Sequence, residues 1–178
     1  MAEFKDRITA GRLKGRKLVL PEDESVRPSK NRVRQAAFNM LNSRVDFTGV
    51  VAADVCCGSG AWGLEASSRG CEMVFLVDLN VIYAERNVRA FGVETGVKVV
   101  RSDARSWQPP APLGLVLADP PYGKGLVQAL LRRRGELGAA GSWWCVETER
   151  DAVLDWTGFT DVEQRGHGGS WVWVGRQE

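Results

Sequence analysis

The chain has 178 residues, 44% of them hydrophobic and 26% charged, with 24 Lys+Arg against 22 Asp+Glu and a net charge of +2. These proportions exclude a disordered, collagenous or coiled-coil chain and predict one soluble globular domain over residues 1–178, large enough to bury roughly 70% of its unfolded surface. No apolar run approaches the roughly 18 residues of a membrane span, and the start MAEFKDRITAGRLKGRK lacks the apolar stretch of a secretory signal, so a cytoplasmic protein without membrane contact is expected.

The charge is unevenly placed. Residues 1–34 hold ten Lys+Arg against five Asp+Glu, whereas the remainder is mildly acidic, a distribution that suits a polyanionic partner and also an ordinary solvated surface. Residues 7–20 read as two short strands, RITAG and RKLVL, about a turn at Gly15, a basic hairpin within an extension over residues 1–28. Ser29 then fits the cap of a helix whose apolar stripe is Val33, Ala37, Met40 and Leu41.

From Val50 the pattern changes to short apolar runs alternating with amphipathic segments, which predicts β-α units and a mostly parallel sheet. VVAADVCC is the first strand, followed by a glycine loop and a helix from Ala61 to Arg69 ended by Gly70; MVFLVD is the second, with Asn80 capping a helix that Gly92 ends. VKVV and LGLVLAD are the third and fourth, separated by an irregular stretch because Pro109, Pro110 and Pro112 forbid a long helix. A helix near residues 126–134, the strand SWWCVE, and an antiparallel hairpin of GFTDVEQ and SWVWVG about RGHGGS complete the chain.

The four cysteines, Cys56, Cys57, Cys71 and Cys145, form no CxxC pair and share a single His, so they read as small buried hydrophobes, with no metal site expected. Trp143, Trp144, Trp171 and Trp173 read as core or sheet-face residues. The lone His167 lies in a glycine turn without an evident acid or base partner, and Glu147, which closes the fifth strand, has an open role.

Chemistry concentrates at the strand ends. Gly58, Gly60 and Gly63 follow the first strand where it turns into a helix, so the backbone can approach a ligand and unpaired N–H groups face it. Asp78 ends the second strand twenty residues past Gly58, where a carboxylate can accept both hydroxyls of a ribose. Together they predict an adenosine-containing ligand, and the glycine spacing alone also suits a dinucleotide. Ser102-Asp103 and Asp119-Pro120-Pro121-Tyr122 at the ends of the third and fourth strands favour a different cofactor: DPPY in this place resembles the catalytic motif of S-adenosylmethionine-dependent amino-group methyltransferases, and a nicotinamide enzyme has no use for it.

The segments RITAGRLKGRKL, RPSKNRVRQAAFNML, DVCCGSGAWGLEASSRG and DPPYGKG resemble the bacterial 16S ribosomal RNA (guanine-966, N2) methyltransferases, the RsmD family, over nearly the whole chain. The resemblance implies an α/β fold of the Rossmann-like class I methyltransferase type: a seven-stranded, mostly parallel sheet with an antiparallel C-terminal hairpin, preceded by an N-terminal basic β-hairpin. It implies that Asp54, Gly58 and Gly60 hold the methionine moiety of S-adenosylmethionine, Asp78 the ribose, and Asp103 with Ala104 the adenine edge, with Cys56 and Leu79 completing the cofactor set. Asp119, Pro120, Pro121 and Tyr122 would receive a flipped base.

The partner implied is 16S rRNA within the small subunit or an assembly intermediate, met by a monomer. Arg27, Arg32 and Arg34 are assigned to RNA phosphate or target-loop contacts, the alternatives being a solvated face or a carboxylate partner on the body; Arg12, Lys14, Arg16 and Lys17 would make diffuse phosphate contacts. Gln35 stands where the family usually has Glu, and Trp62 replaces a smaller aliphatic residue and reads as helix packing. The run Arg132-Arg133-Arg134 suits solvent or RNA. Rival readings are an amino-methyltransferase for another nucleic acid, adenine N6 or another guanine, and a non-enzymatic RNA-binding assembly module.

Overall fold

A computed structural model describes residues 6–22 and 28–178. The strands are β1 (Val51–Val55), β2 (Met73–Asp78), β3 (Val97–Arg101), β4 (Leu113–Ala118), β5 (Gly138–Glu149), β6 (Phe159–His167) and β7 (Ser170–Gln177). They form one sheet in the order β3-β2-β1-β4-β5-β7-β6, parallel from β3 to β5, with β7 antiparallel between β5 and β6. The seven-stranded, mostly parallel sheet with an antiparallel C-terminal hairpin is therefore as read from the sequence. The helices are α1 (Pro28–Asn42), α2 (Ala61–Arg69), α3 (Ile82–Phe91), α4 (Leu126–Arg132) and α5 (Arg134–Leu137).

Both faces of the central strands are buried, which is why they read as continuous apolar runs. Ala52, Leu76, Leu115 and Leu117 face a core shared with Phe38, Leu41 and Leu64 of α1 and α2. Their neighbours Ala53, Val77, Val116 and Ala118 face a second core with Leu130, Leu137 and Trp144. The strand order reverses between β1 and β4, and in open parallel sheets the crevice beyond the carboxyl ends at that point is where ligands sit. Register then fixes what lies there: Val55 pairs with Val77 and with Ala118, and Ala118 with Val146, so Cys56, Asp78, Asp119 and Glu147 stand at nearly one level across the sheet.

Several local expectations shift. The N-terminal hairpin keeps a single antiparallel bridge, Arg7 to Lys17, in place of two regular strands. Backbone bonds from Ile8 to Arg16, Gly15 to Ile8 and Leu18 to Asp6 join its arms, while other groups bond elsewhere: the amides of Thr9 and Ala10 and the Thr9 hydroxyl donate to the Glu65 carboxylate, and the Arg12 amide donates to the Ser68 carbonyl. α1 begins at Pro28, a position proline favours because its missing N–H would be unpaired there, so Ser29 lies inside the first turn and is not the cap. Val81 rather than Asn80 is the cap of α3, although the Asn80 side chain still accepts the Ile82 amide at 3.3 Å. The helix read over residues 126–134 breaks at Arg133 into α4 and α5, and β5 is twelve residues long, reaching back to Gly138. Trp144 is fully buried, while Trp143, Trp171 and Trp173 are half-buried on the sheet. Among the described residues no helix is long and apolar enough to cross a membrane.

Candidate active site

The loop between β1 and α2 is held by its neighbours on β2. The amides of Cys56 and Cys57 donate to the Val77 carbonyl, Cys56 sits at φ 67 as the chain turns out of the sheet, and the Gly58 amide donates to Asp78 Oδ2 at 2.8 Å. Two glycines here do different work. Gly58, at φ 53, has no atom within 4 Å of where a Cβ would stand, so that side of the loop is open to the cavity. Gly60, at φ 80, caps α2 and packs down, and a Cβ there would meet Leu76 at 2.7 Å; it is not part of the cavity wall.

Beneath the loop Asp54 is 1% exposed. Its Oδ2 accepts the Gly63 amide of α2 at 2.8 Å, while Oδ1 is buried with no partner among the described residues. Burial lifts this carboxyl to about 7, against the opposing pull of the Gly63 amide. The site thus contains one oriented, unpaired acceptor. Burial likewise lifts the Cys56 thiol to about 12, so it is no nucleophile. Trp62 is buried and packs on Phe38 at 6.3 Å between ring centres while one edge reaches the cavity.

Along the next strand ends, Asp78 also accepts the Asn80 amide at 3.2 Å, and Leu79 stands out at 63% exposed beside it. Asp103 accepts the Arg105 amide at 2.8 Å and Ala104 is buried against the wall. The shape of this loop depends on Arg133, whose guanidinium donates to the carbonyls of Ala104, Arg105 and Trp107 at 3.2, 2.8 and 2.9 Å and is anchored by Glu136 at 2.8 Å. One member of the arginine run is therefore a bracket for the cavity, joined to it across 26 to 29 residues of sequence.

At the tip of β4, Asp119 is hydrogen-bonded to Glu147 of β5, and the Tyr122 hydroxyl donates to Glu147 Oε1 at 2.7 Å. Burial, then the neighbouring Glu147, hold the Asp119 carboxyl well above its usual range, with Lys30 of α1 pulling the other way. Burial and the adjacent Glu147 carboxyl both favour the protonated form of Asp119. Burial and Glu147 also push the Tyr122 phenol up, so it stays a neutral donor. The Tyr122 ring remains half exposed, a face available to a planar group.

These pieces border one cavity of about 1130 Å³. It is lined by Asp54, Cys56 and Gly58 from the first strand end, by Asp78, Leu79, Asp103 and Ala104 from the next two, and by Asp119, Pro120, Pro121 and Tyr122 from the fourth. Glu147, whose role the sequence left open, and Lys30, His167 and Ser170, which sequence reasoning did not select for the site, line it too. The register of β4 on β5 brings Glu147 there, the return of the C-terminal hairpin brings His167 and Ser170, and the first turn of α1 brings Lys30. Such a wall can hold a polar, partly planar ligand on the loop side and accept N–H bonds from an amine on the other.

The cationic residues divide. Arg32 and Gln35 are exposed on the cavity rim, with Arg105 and Lys124 also exposed on its wall. Arg34, read as an RNA contact, is 1% exposed and bonded to Asp6, so it takes the alternative of a carboxylate partner. Arg12 and Arg16 are exposed but tied to Ser67 and to the Ala90 carbonyl, with Arg16 also stacked on Phe91. Those anchors lie in the last turns of α2 and α3; the first turn of α2 lines the cavity, so the Ser67 anchor of Arg12 sits roughly 9 Å along that helix from it. Lys14 and Lys17 are exposed on the same segment, and Arg27 lies outside the described residues.

Residues 6–176 match the family model described as "Conserved hypothetical protein 95". The chain is 33% identical over 126 residues to ribosomal RNA small subunit methyltransferase D of Escherichia coli strain K12, an alignment covering 68% of this chain and 63% of that relative's length. It is 32% identical over 133 residues to a putative rRNA methyltransferase, YlbH, of Bacillus subtilis strain 168, covering 70% and 71% of the two chains. Among solved structures, the putative methyltransferase yhhF from Escherichia coli superposes with a TM-score of 0.82 at 26% identity, covering 98% of each chain.

Proposed function

The chain belongs to the conserved hypothetical protein 95 family, and on that premise we propose that it is an enzyme transferring a methyl group from S-adenosylmethionine to the exocyclic N2 of a guanine, of the position-966 type, in 16S rRNA. On this reading it acts as a cytoplasmic monomer on the small subunit or an assembly intermediate. The observation that carries the reading is the single cavity bordered by both the β1–α2 glycine loop and the Asp119–Tyr122 tip of β4. The names of the Escherichia coli and Bacillus subtilis relatives support the same class of reaction.

The residues present fit the cofactor. Asp54 Oδ1 is a buried acceptor without a partner, matched to the ammonium of a methionine moiety; the open side of Gly58 leaves room for close backbone approach; Asp78 offers a carboxylate to ribose hydroxyls; and Leu79 with Ala104 supplies apolar surface for an adenine ring. When bound, the cofactor supplies a methyl group already activated by its sulfonium.

The chain's own residues then do the positioning. An exocyclic base amine is a poor nucleophile because its lone pair is delocalised into the ring. Asp119 and the Pro120 carbonyl can accept its N–H bonds and turn the lone pair toward the methyl group, and the Tyr122 ring stacks on the base, a contact worth roughly 1–3 kcal/mol. Two consecutive prolines pre-set these acceptors. Orientation of this kind can supply roughly 7–11 kcal/mol of a barrier, so no covalent enzyme intermediate is needed. Arg32, Arg105 and Lys124 on the cavity wall suit the phosphates of an RNA strand delivering the base.

The test is transfer from labelled S-adenosylmethionine to small subunits purified from a strain lacking this modification. Label at guanine N2 is expected; label on adenine, or on ribosomal protein, would overturn the substrate assignment.

A further inference from the structure

The proposed reaction uses Asp119, the Pro120 carbonyl and Tyr122, yet the wall of the acceptor site contains a second carboxylate with no role in it. Glu147 is 5% exposed, borders the cavity, accepts the Tyr122 hydroxyl at 2.7 Å and is hydrogen-bonded to Asp119. A buried carboxyl that only braced a tyrosine could be replaced by any neutral acceptor, without the cost of placing it against Asp119.

Resting on the guanine reading above, we propose that Glu147 is a specificity-determining residue that accepts the N1–H of the target guanine while Asp119 takes the N2–H. The chemistry of the two bases separates them. Guanine presents two adjacent donors, N1–H and N2–H, whereas adenine places an acceptor, N1, beside its amine.

The protons of the cluster are already directed inward. The Tyr122 hydroxyl points at Glu147, and Asp119 beside it is held well above its usual range by burial and by Glu147. A carboxylic acid bonded to a carboxylate still offers its remaining lone pairs, so the two groups together present acceptors to the cavity. Guanine's two donors meet those acceptors; adenine N1 would meet a lone pair with both left unpaired, the kind of mismatch by which sites reject close analogues. The charges facing the pair are Lys30 from α1 and Asp54 from β1, with His167 and Ser170 of the β6–β7 hairpin on the same wall. The positive charge of Lys30 suits the O6 acceptor of the same edge.

The experiment compares small-subunit particles carrying guanosine at the methylated position with particles carrying 2-aminopurine riboside there. The analogue keeps the N2 amine but lacks N1–H and O6, and its fluorescence reports extrusion independently of methyl transfer. The wild-type protein is expected to favour guanosine by roughly 10- to 100-fold in kcat/KM, the loss of a hydrogen bond to a charged group. Glu147→Met should shrink that ratio by about 10-fold while still raising 2-aminopurine fluorescence. Tyr122→Phe, which loses the same hydroxyl bond but keeps Glu147, should be slower on both substrates with the ratio retained.

Equal rates of the wild-type protein on the two substrates would overturn the assignment without any variant, as would a Glu147→Met protein that binds S-adenosylmethionine normally and keeps the wild-type ratio. If the wild-type protein methylates adenine or no base at all, the guanine reading itself fails, an outcome distinct from guanine methylation with an unchanged ratio.

Discussion

Arg34 and Asp6 form a two-pronged pair beneath the N-terminal segment, Nη1 to Oδ2 at 3.0 Å and Nη2 to Oδ1 at 2.8 Å, and Nη2 also reaches the Arg7 carbonyl at 2.7 Å. Its Nε lies 3.6 Å from Glu65, the carboxylate that accepts from Thr9, Ala10 and Arg69. Through these bonds α1 and α2 fix the otherwise weakly paired entrance to the fold.

Arg34→Ala should therefore lower stability by about 2–4 kcal/mol, since it takes the two-pronged partner from the mostly buried Asp6 carboxylate and a nearby cation from Glu65. Arg32→Ala, two residues away and exposed, should leave stability unchanged, weaken RNA binding and reduce the salt slope by about one phosphate contact. Denaturant titrations and binding isotherms at several salt concentrations check both; an Arg34 variant that keeps its stability and loses only RNA affinity would reverse the assignment.

The glycine loop yields a paired prediction. Gly63→Ala places a methyl group 2.2 Å from Leu76 and 3.0 Å from Asp54, which should cost about 1–3 kcal/mol of stability by overpacking. Gly58→Ala meets no atom and carries only the roughly 1–2 kcal/mol of a left-handed alanine, but its methyl points into the space assigned to the cofactor. Calorimetric titration with S-adenosylmethionine should show the larger affinity loss for Gly58→Ala and the larger melting-temperature loss for Gly63→Ala.

Asp54 gives a pH signature. Its carboxyl rises from 3.8 to about 7 on folding because it is buried, so between those values the folded protein holds a proton that the unfolded chain has released. Its contribution to stability therefore falls as pH rises from about 4 to about 7 and is level above. Asp54→Asn should remove that slope, read as the difference between the two proteins in urea titrations across this range. A wild-type curve parallel to that of the variant would refute the assignment.

Much of the architecture was legible because local chemistry and fold agree. Strands buried on both faces read as apolar runs, glycines mark the ends of α2 and α3, and the four acidic or glycine-rich strand ends fall in order along the chain. What was not legible depends on partners far away in sequence. RITAG and RKLVL have strand composition, yet Thr9 and Ala10 bond Glu65 and Ser68 and Val19 bonds Asn87, all more than fifty residues on, so no regular hairpin forms. Arg34 looks like Arg32 until Asp6 is placed beneath it, and Arg133 looks like its neighbours until the 104–107 loop is seen under its guanidinium. Glu147 acquires its place only through the pairing of Ala118 with Val146. Arg12 and Arg16, expected to make diffuse phosphate contacts, are exposed and take fixed positions only through Ser67 and the Ala90 carbonyl, more than fifty residues away.

Asp119→Ala should reduce methyl transfer by at least about 100-fold while S-adenosylmethionine affinity changes by less than about 3-fold, because the proposed reaction sets this residue on the base amine and not on the cofactor. A large loss of cofactor affinity in this variant would show that Asp119 belongs to the other half of the site.

The most direct measurement is mass spectrometry of nucleosides released from 16S rRNA after unmodified small subunits are incubated with the protein and S-adenosylmethionine. The account predicts N2-methylguanosine at one per particle, absent with Asp119→Ala. N6-methyladenosine, or RNA left unmethylated by a folded wild-type protein that binds the cofactor, would contradict it.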